Sequence, residues 1–163
     1  VARAVQGPPA SRWPRPRFAK GSYFALAGRP PVDCLVYPAP HDAWLGVHLT
    51  LDWAGQARFG HDLEWLDTDD PAALDYTVDA QGAARFELAV RRYWPGLPAG
   101  ALHLAYAGVR PKIHGPGEPA PDFCFEGPHE HGFAGLVHLL DFESPGLTSA
   151  LAVAEAVCDA LAP

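Results

Sequence analysis

The sequence contains no methionine, only three cysteines and no cluster of lysine and arginine. Cys34, Cys124 and Cys158 are an odd number without C-x-x-C spacing, so they predict neither a disulfide framework nor a zinc site. The formal charge of −7 without a basic patch argues against a nucleic-acid partner, because phosphate binding needs clustered cations. The missing methionine indicates a piece of a longer protein, with a processed start or GC-rich codon usage as alternatives.

No stretch of the chain has the features of a membrane span or a secretory signal. Residues 145–162 carry Glu155 and Asp159, and the Pro/Arg-rich residues 1–18 lack an apolar segment. That N-terminal stretch is typical of a segment that crosses a larger body. Together with the cysteine content, these features predict a cytoplasmic protein, with membrane association left open. At 163 residues, 48% of them hydrophobic, the chain is long enough for one sizeable core.

Apolar alternation predicts an α+β fold with a largely antiparallel sheet and a flanking helix. Strand patterns occur in KGSYFAL, DCLVYPAP and WLGVHLTLDWAGQARFG, the last with a hairpin turn at Ala54-Gly55. A helical pattern follows in VDAQGAARFELAVRRYWPGL, with Asp79 as N-cap and Pro95-Gly96 as the stop. Three more strand patterns then precede a final apolar helix: ALHLAYAGVRPKI, PDFCFEG and GLVHLL.

The strand WLGVHLTL separates an apolar face from a polar one, because alternate residues of a strand share a face. His48 and Thr50 point to one side, and four apolar residues point to the predicted core: Leu45, Val47, Leu49 and Leu51. The polar side fits either a solvated sheet face or the wall of a polar pocket.

A second strand, LAYAGVRPKI, brings Tyr106, Gly108 and Arg110 to one face by the same rule. Gly108 leaves room for a flat group to approach the backbone. The Arg110 guanidinium suits a bidentate contact with a carboxylate, and a surface ion pair is the alternative.

The triplet His129-Glu130-His131 has residue types that bind metals. It lies between Gly127-Pro128 and Gly132, which predict an exposed loop. No third potential ligand lies at a sequence spacing that is typical of metal sites. The sequence therefore predicts no metal site.

The chain ends with an apolar helix that begins at Ser-Pro-Gly. Ser144 suits the N-cap and Pro145 the first helical position, while Gly146 has no side chain to cover the backbone. Such a start leaves the amides of Gly146, Leu147 and Thr148 uncovered, and a buried helix behind them would hold these donors rigidly. The same residues are also ordinary in a strand-to-helix turn.

Five segments in this order resemble the FAD-dependent oxidoreductases of the D-amino-acid oxidase/glycine oxidase superfamily, in particular its L-2-hydroxyglutarate dehydrogenase/oxidase branch. They are KGSYF (20–24), LVYPAP (35–40), LGVHLTLDWAGQARFG (45–60), YAGVRPKIHGPGEPAPDF (106–123) and ESPGLTSALA (143–152). The resemblance implies that residues 1–115 form a substrate-binding cap domain. Residues 116–163 would then be the last strand and helix of a Rossmann-like FAD-binding domain. The rest of that domain, with its G-x-G-x-x-G fingerprint, is missing from the chain.

The resemblance also implies roles for individual residues. Arg110 would bind the substrate carboxylate, and residues 144–148 (Ser144, Pro145, Gly146, Leu147 and Thr148) would face the pyrimidine side of the flavin. His48 is the candidate base for the hydroxyl of a 2-hydroxy acid, since imidazole titrates near neutral pH. Tyr23 and Thr50 are expected to line the same pocket. Lys20 or Lys112 would meet the second carboxylate of a diacid.

These expectations favour oxidation of a small anionic 2-hydroxy acid, with L-2-hydroxyglutarate preferred, by hydride transfer to flavin N5. The chain's partner would be the N-terminal FAD-binding region of the same protein, and the electron acceptor, oxygen or quinone, stays open. An amine oxidase of the glycine or sarcosine oxidase type is an alternative, as is a non-enzymatic α+β binding module. Asp141 stands where the resemblance implies a glycine or other small residue, and Ser22 where asparagine is commoner.

Overall fold

The computed structural model describes residues 13–39 and 46–162. These residues fall into two compact units. The central unit is Phe18–Arg110, and the terminal unit combines the chain before Phe18 with the chain from Pro111 onward. The boundary after Arg110 lies near the predicted one after residue 115. The roles assigned to the two predicted domains stay predictions.

The central unit is built on a five-stranded sheet. Its strands are β1 (Arg17–Leu26), β2 (His48–Leu51), β3 (Ala57–Gly60), β4 (Glu64–Leu66) and β5 (Leu102–Lys112). The order is β2-β3-β1-β4, and β5 also pairs with β1. The pairs β1–β3, β1–β4 and β2–β3 are antiparallel. The largely antiparallel sheet agrees with the α+β prediction, although β4 was not predicted.

The predicted hairpin and the predicted helix are both present. Gly55 adopts a positive φ of 76° at the β2–β3 turn, a conformation that suits glycine. The Asp79 carboxylate accepts a hydrogen bond from the Gln81 amide at 2.9 Å and so caps a 3-10 turn, Ala80–Gly82. The helix α1 (Ala83–Arg91) continues from this turn and ends four residues before Pro95.

One face of the sheet and helix α1 form the hydrophobic core of the central unit. Phe86 and Val90 of the helix are buried, and Phe86 packs against Phe24 of β1 with ring centroids 4.6 Å apart. The apolar side of the WLGVHLTL segment faces this core as predicted, since Val47 and Leu49 belong to it. Leu45 lies outside the described residues. Residues 1–12 of the predicted crossing segment do so too.

The segment DCLVYPAP does not form the predicted strand. It makes one bridge, in which Val36 and Leu49 exchange two backbone hydrogen bonds of 3.0 and 2.9 Å. Its prolines have no N–H to donate to a neighbouring strand, so the pairing cannot extend. Residue 40 lies outside the described residues.

The terminal unit contains a short antiparallel pair and two helices. Strand β6 (Cys124–Glu126) pairs with β7 (His138–Leu140), and helix α2 (Pro128–His131) lies between them in the chain. The last helix is α3 (Ala150–Leu161). The strands in PDFCFEG and GLVHLL are thus confirmed, each as a three-residue strand. No helix in the described ranges combines the length and apolar character that a bilayer crossing needs.

The triplet His129-Glu130-His131 belongs to helix α2, so the prediction of an exposed loop is wrong. The His131 side chain is buried and lies edge-on to His138, with ring centroids 5.6 Å apart. The Glu130 carboxylate accepts a hydrogen bond from the Gly127 amide at 2.7 Å, which caps the helix. Within the described residues, no group of three or more potential ligands is placed to hold a metal ion.

Helix α3 is apolar, as its sequence shows, but it is not buried. None of its residues is fully buried, and Leu151 is 84% exposed. Val153 and Val157, which lie one turn apart, are half-buried. The prediction of a buried final helix is therefore wrong for this chain, because the described elements cover only a narrow stripe of it.

Candidate active site

The polar face of the central sheet lies opposite the hydrophobic core. Strand register places His48, Gly60 and Tyr23 in one row across β2, β3 and β1. Thr50 and Arg58 lie opposite each other in the neighbouring row. Residues in one row point to the same side of a sheet. The structure thus brings together the predicted site residues Tyr23, His48 and Thr50.

Gly60 makes room for the Tyr23 ring in the first row. A Cβ atom at position 60 would lie 2.1 Å from the Cδ1 atom of Tyr23, so the ring rests directly on the backbone of β3. No larger residue fits without displacing this ring.

We expect Gly60→Ala to destabilise the protein by about 1–3 kcal/mol, the usual cost of overpacking a close contact. Gly108→Ala is the matched control, because a Cβ at Gly108 meets no atom within 4 Å. Both residues are strand glycines, so loss of glycine freedom affects them alike. Urea denaturation of the full-length variants measures the difference. Equal midpoints for the two would contradict the described packing of Tyr23.

His48 is 7% exposed and is enclosed by two other rings. Tyr37 stacks on it with centroids 4.6 Å apart, and His61 meets it edge-on at 5.9 Å. The Nδ1 atom of His48 is buried without a hydrogen-bond partner among the described residues. In its neutral form an imidazole has one nitrogen that accepts a hydrogen bond, so His48 can act as an acceptor on this face.

The surroundings lower the pKa of His48 from its ordinary value of 6.5. Burial is the main cause, because it disfavours the charged ring, and the neighbouring His61 adds to the effect. The positive charge of Arg110 also lowers it, whereas the Gly46 carbonyl opposes the shift. His48 is therefore neutral at physiological pH.

His61 and Tyr37 belong to this site although the sequence did not single them out. His61 is buried, and its Nδ1 lies 2.7 Å from the Asp62 carbonyl oxygen. Gly21 provides the space for it, since a Cβ there would lie 2.9 Å from the Cβ of His61. The sequence offers one signal for His61: it is a histidine that directly follows β3, a strand that contributes to the polar face.

Strand β5 contributes Tyr106, Gly108 and Arg110 to the site. Tyr106 stacks on Tyr23 with centroids 4.6 Å apart and planes inclined by 15°, which confirms that the two residues share a face. Burial raises the pKa of Tyr23, and the Tyr106 hydroxyl adds to this shift. The Tyr23 phenol therefore stays protonated and can donate a hydrogen bond.

Arg110 is exposed, and no carboxylate among the described residues lies within ion-pair distance of it. Its positive charge contributes to the lowered pKa of His48 and partly offsets the effect of burial, which raises the pKa of Tyr23. Open space beside Gly108 leaves the same face accessible. The site thus combines a cation, a neutral imidazole and a phenol.

The two lysines expected to meet a second carboxylate both have other partners. Lys20 points away from Tyr23, because the two are an odd number of residues apart on β1; its ammonium pairs with Glu64 at 3.1 Å and donates to the Thr77 carbonyl. Lys112 pairs with Glu143 at 2.7 Å in the terminal unit. Strand parity contradicts the expectation for Lys20, and the expectation for Lys112 stays a prediction.

The turn before α3 differs from its prediction. Residues 144–149 form successive turns, and the helix begins at Ala150 with Ser149 as N-cap, so Ser144 is not the N-cap and Pro145 is not the first helical residue. Before the helix begins, the Pro145 carbonyl accepts hydrogen bonds from the Thr148 and Ser149 hydroxyls and, at 3.0 Å, from the Ser149 amide.

The amides of this turn are only partly free. Gly146 donates to the Glu143 carbonyl, which contradicts the expectation for its amide. A Cβ at Gly146 would lie 2.6 Å from that carbonyl oxygen, so the tight turn requires glycine. No described residue accepts a hydrogen bond from the amides of Leu147 or Thr148, and both residues are exposed. Two of the three predicted donors are thus available.

Asp141 precedes this turn in the left-handed conformation, with φ of 58°. Glycine adopts this conformation without strain, which gives a physical reason for a small residue at this position. The Asp141 side chain is nearly buried, and its carboxylate lies 3.6 Å from the Nδ1 of His114. The carboxylate thus has a basic neighbour within the terminal unit.

A surface depression of about 1000 Å³ lies elsewhere in the central unit, beside the β2–β3 hairpin. It is lined by residues 28–33, 51 and 54–56. None of the predicted site residues lines it, so volume alone does not mark the candidate site.

The profile of the FAD dependent oxidoreductase family, DAO, matches residues 1–160 of the chain. The chain belongs to this family. A relative in the DAO family, the mitochondrial L-2-hydroxyglutarate dehydrogenase of Arabidopsis thaliana, is 44% identical over 153 residues. That alignment covers 90% of the chain and 32% of the relative, so this DAO chain spans about a third of the relative's length.

A solved flavoprotein has a similar fold. The dithionite-reduced L-α-glycerophosphate oxidase of Mycoplasma pneumoniae, with FAD bound, superposes with a TM-score of 0.67 at 18% identity. The match covers 90% of the DAO chain and 36% of the oxidase. It supports the α+β fold with antiparallel sheets and few helices.

Proposed function

We propose that the protein containing this chain oxidises a small 2-hydroxy acid with FAD, and that L-2-hydroxyglutarate is converted to 2-oxoglutarate. The observation that carries the proposal is a buried His48 with a lowered pKa, on the same sheet face as Tyr23 and Thr50 and influenced by the charge of Arg110. Oxidation of an alcohol needs a base for the hydroxyl proton, and His48 has the required properties. The 44% identity to a protein named L-2-hydroxyglutarate dehydrogenase supports the choice of substrate.

The residues of the central unit divide the work of binding and proton transfer. Arg110 binds the C1 carboxylate through two parallel hydrogen bonds, which fixes C2 in position. The His48 imidazole accepts the hydroxyl proton as the C2 hydrogen leaves with its electron pair. Tyr23 donates a hydrogen bond to the substrate oxygen, and Thr50 contributes a hydroxyl to the pocket wall.

The terminal unit is proposed to contribute to the cofactor site. The exposed amides of Leu147 and Thr148 suit the electron-rich edge of a flavin. Gly146 beside them has no side chain that would cover the backbone, and the positive end of the α3 dipole lies behind them. Bound FAD supplies the two-electron acceptor for the C2 hydride. The remaining FAD contacts come from the N-terminal region of the same protein, which also covers the apolar surface of α3.

The proposal also assigns roles to the two predicted domains and names the class of electron acceptor. Residues 1–115 act as the substrate-binding cap, and residues 116–163 as the C-terminal segment of the FAD-binding domain. Oxygen or a quinone would serve as the electron acceptor that regenerates the oxidised cofactor. The compartment stays a prediction: the sequence favours the cytoplasm, whereas the Arabidopsis relative is named as mitochondrial.

The visible spectrum of the full-length protein tests this proposal. We expect a flavin absorption band that bleaches when L-2-hydroxyglutarate is added without oxygen, because the substrate's two electrons stay on the cofactor. D-2-hydroxyglutarate is the control for stereospecific binding. A band that bleaches with N-methylglycine instead would assign the protein to the amine oxidases, and a protein without any flavin band would refute the proposal.

A further inference from the structure

A second cation lies on the polar face, on a residue that the sequence did not single out. Arg58 of β3 stands opposite Thr50 of β2, so its side chain points to the same side as His48. Its guanidinium carbon lies 5.6 Å from the centre of the Tyr106 ring. The side chain is 36% exposed, so it is held within the face and remains reachable by a ligand.

Arg58 is held in place by the β2–β3 hairpin. The Oδ2 atom of Asp52 pairs with the Arg58 Nη2 atom at 3.0 Å. The Oδ1 atom of Asp52 accepts the amides of Ala54 and Gln56 at 2.9 and 3.0 Å, which anchor the carboxylate in the turn. A guanidinium has five N–H donors in a planar fork, so this pairing leaves the Nε and Nη1 hydrogens for a ligand.

The positions of the two cations suit a ligand with two carboxylates. Tyr106 lies below Arg58, and Arg110 is four residues further along β5, which corresponds to roughly 13 Å of strand. In an extended five-carbon diacid, four bonds of about 1.5 Å each put the carboxylates roughly 5 Å apart. A charge-assisted hydrogen bond of about 2.8 Å at each end extends this reach, and the two flexible side chains cover the remainder.

We propose that Arg58 binds the distal carboxylate of the substrate and thereby selects diacids over 2-hydroxy monoacids. This inference rests on the proposed function, since it assumes that Arg110 and His48 hold the C1–C2 end of the same molecule. It assigns to Arg58 the role that was expected of Lys20 or Lys112. The Tyr23–Tyr106 stack forms the floor along which the carbon chain lies.

The test compares two variants that remove the same ion pair. Arg58→Gln removes the cation, whereas Asp52→Asn removes only its partner and keeps the oxygen that accepts the turn amides. Both are assayed in the full-length protein with L-2-hydroxyglutarate and with 2-hydroxypentanoate, which has the same chain length and no second carboxylate. We expect Arg58→Gln to raise the KM for the diacid about 10- to 100-fold, the range for a lost charge-assisted bond, and to leave the monoacid unchanged. Asp52→Asn keeps the cation and removes only its anchor, so we expect it to raise the diacid KM less than Arg58→Gln does and to leave the monoacid KM unchanged.

Three outcomes overturn the inference. If both variants raise KM equally for both acids, Arg58 acts through the Asp52 pair and its role is structural. If Arg58→Gln has the wild-type KM for the diacid, the distal carboxylate is bound elsewhere, although the proposed function stands. If the wild-type protein oxidises neither acid, the proposed function fails and this inference fails with it.

Discussion

Replacing His48 by asparagine in the full-length protein is expected to lower kcat for L-2-hydroxyglutarate by about 10²- to 10⁴-fold, the usual contribution of a positioned base. Asparagine keeps a polar side chain of similar reach but does not accept a proton. The stacked Tyr37 and the edge-on His61 keep their positions, so the effect falls on chemistry rather than on folding. Anaerobic stopped-flow reduction of the flavin measures this step directly.

The pH profile distinguishes a base from a residue that only shapes the pocket. Because burial lowers the pKa of His48 from 6.5, the ring remains an acceptor somewhat below that pH and then becomes protonated. We therefore expect kcat/KM to fall as pH decreases through a value below 6.5, and this acid limb to be lost in the His48 variant. His103→Gln is the control, since His103 is exposed and points to the opposite side of β5 from Tyr106. An unchanged acid limb in His48→Asn would exclude His48 as the base.

Replacing Arg110 by lysine is expected to lower kcat/KM by about 10²-fold or more. Lysine keeps the charge but offers a point charge in place of a planar fork, so the carboxylate loses one of two parallel hydrogen bonds and its fixed orientation. Misplaced substrate lowers kcat as well as raising KM, because C2 is no longer aligned for transfer. Steady-state kinetics at several substrate concentrations separate the two effects.

Arg92→Lys is the matched control for this substitution. Arg92 is an exposed arginine at the end of helix α1 and is none of the residues assigned to the site. We expect it to keep wild-type kinetics. If Arg110→Lys behaved like Arg92→Lys, the carboxylate would have to be bound by another residue.

Periodicity predicted the parts of this fold that follow from local chemistry. The alternation in WLGVHLTL located His48 and Thr50 on the polar face, and Asp79 was correctly expected to cap the helical segment. The alternation in β5 predicted that Tyr106, Gly108 and Arg110 share a face, and the structure adds that Tyr106 stacks on Tyr23. These features depend on residues within one element, which a single sequence records directly.

The features that the sequence did not predict depend on contacts between distant residues. Lys20 was expected near the substrate, but strand parity and the Glu64 carboxylate, 44 residues away, turn it to the other side. Arg58 and His61 gain their significance only when β3 pairs with β1 and β2. The late start of α3 also escaped prediction, because Ser-Pro-Gly is compatible with either a turn or the first residues of a helix.

The bridge between Val36 and Leu49 links the cover of His48 to the hydrophobic core. Tyr37 follows Val36 directly, and its ring stacks on the imidazole although the segment belongs to no strand. Val36 itself packs against the core, and Leu49 is part of it. Because burial is the main cause of the lowered pKa of His48, the basicity of this ring depends on a segment outside the sheet. Substitutions at Val36 would therefore act on His48 through Tyr37.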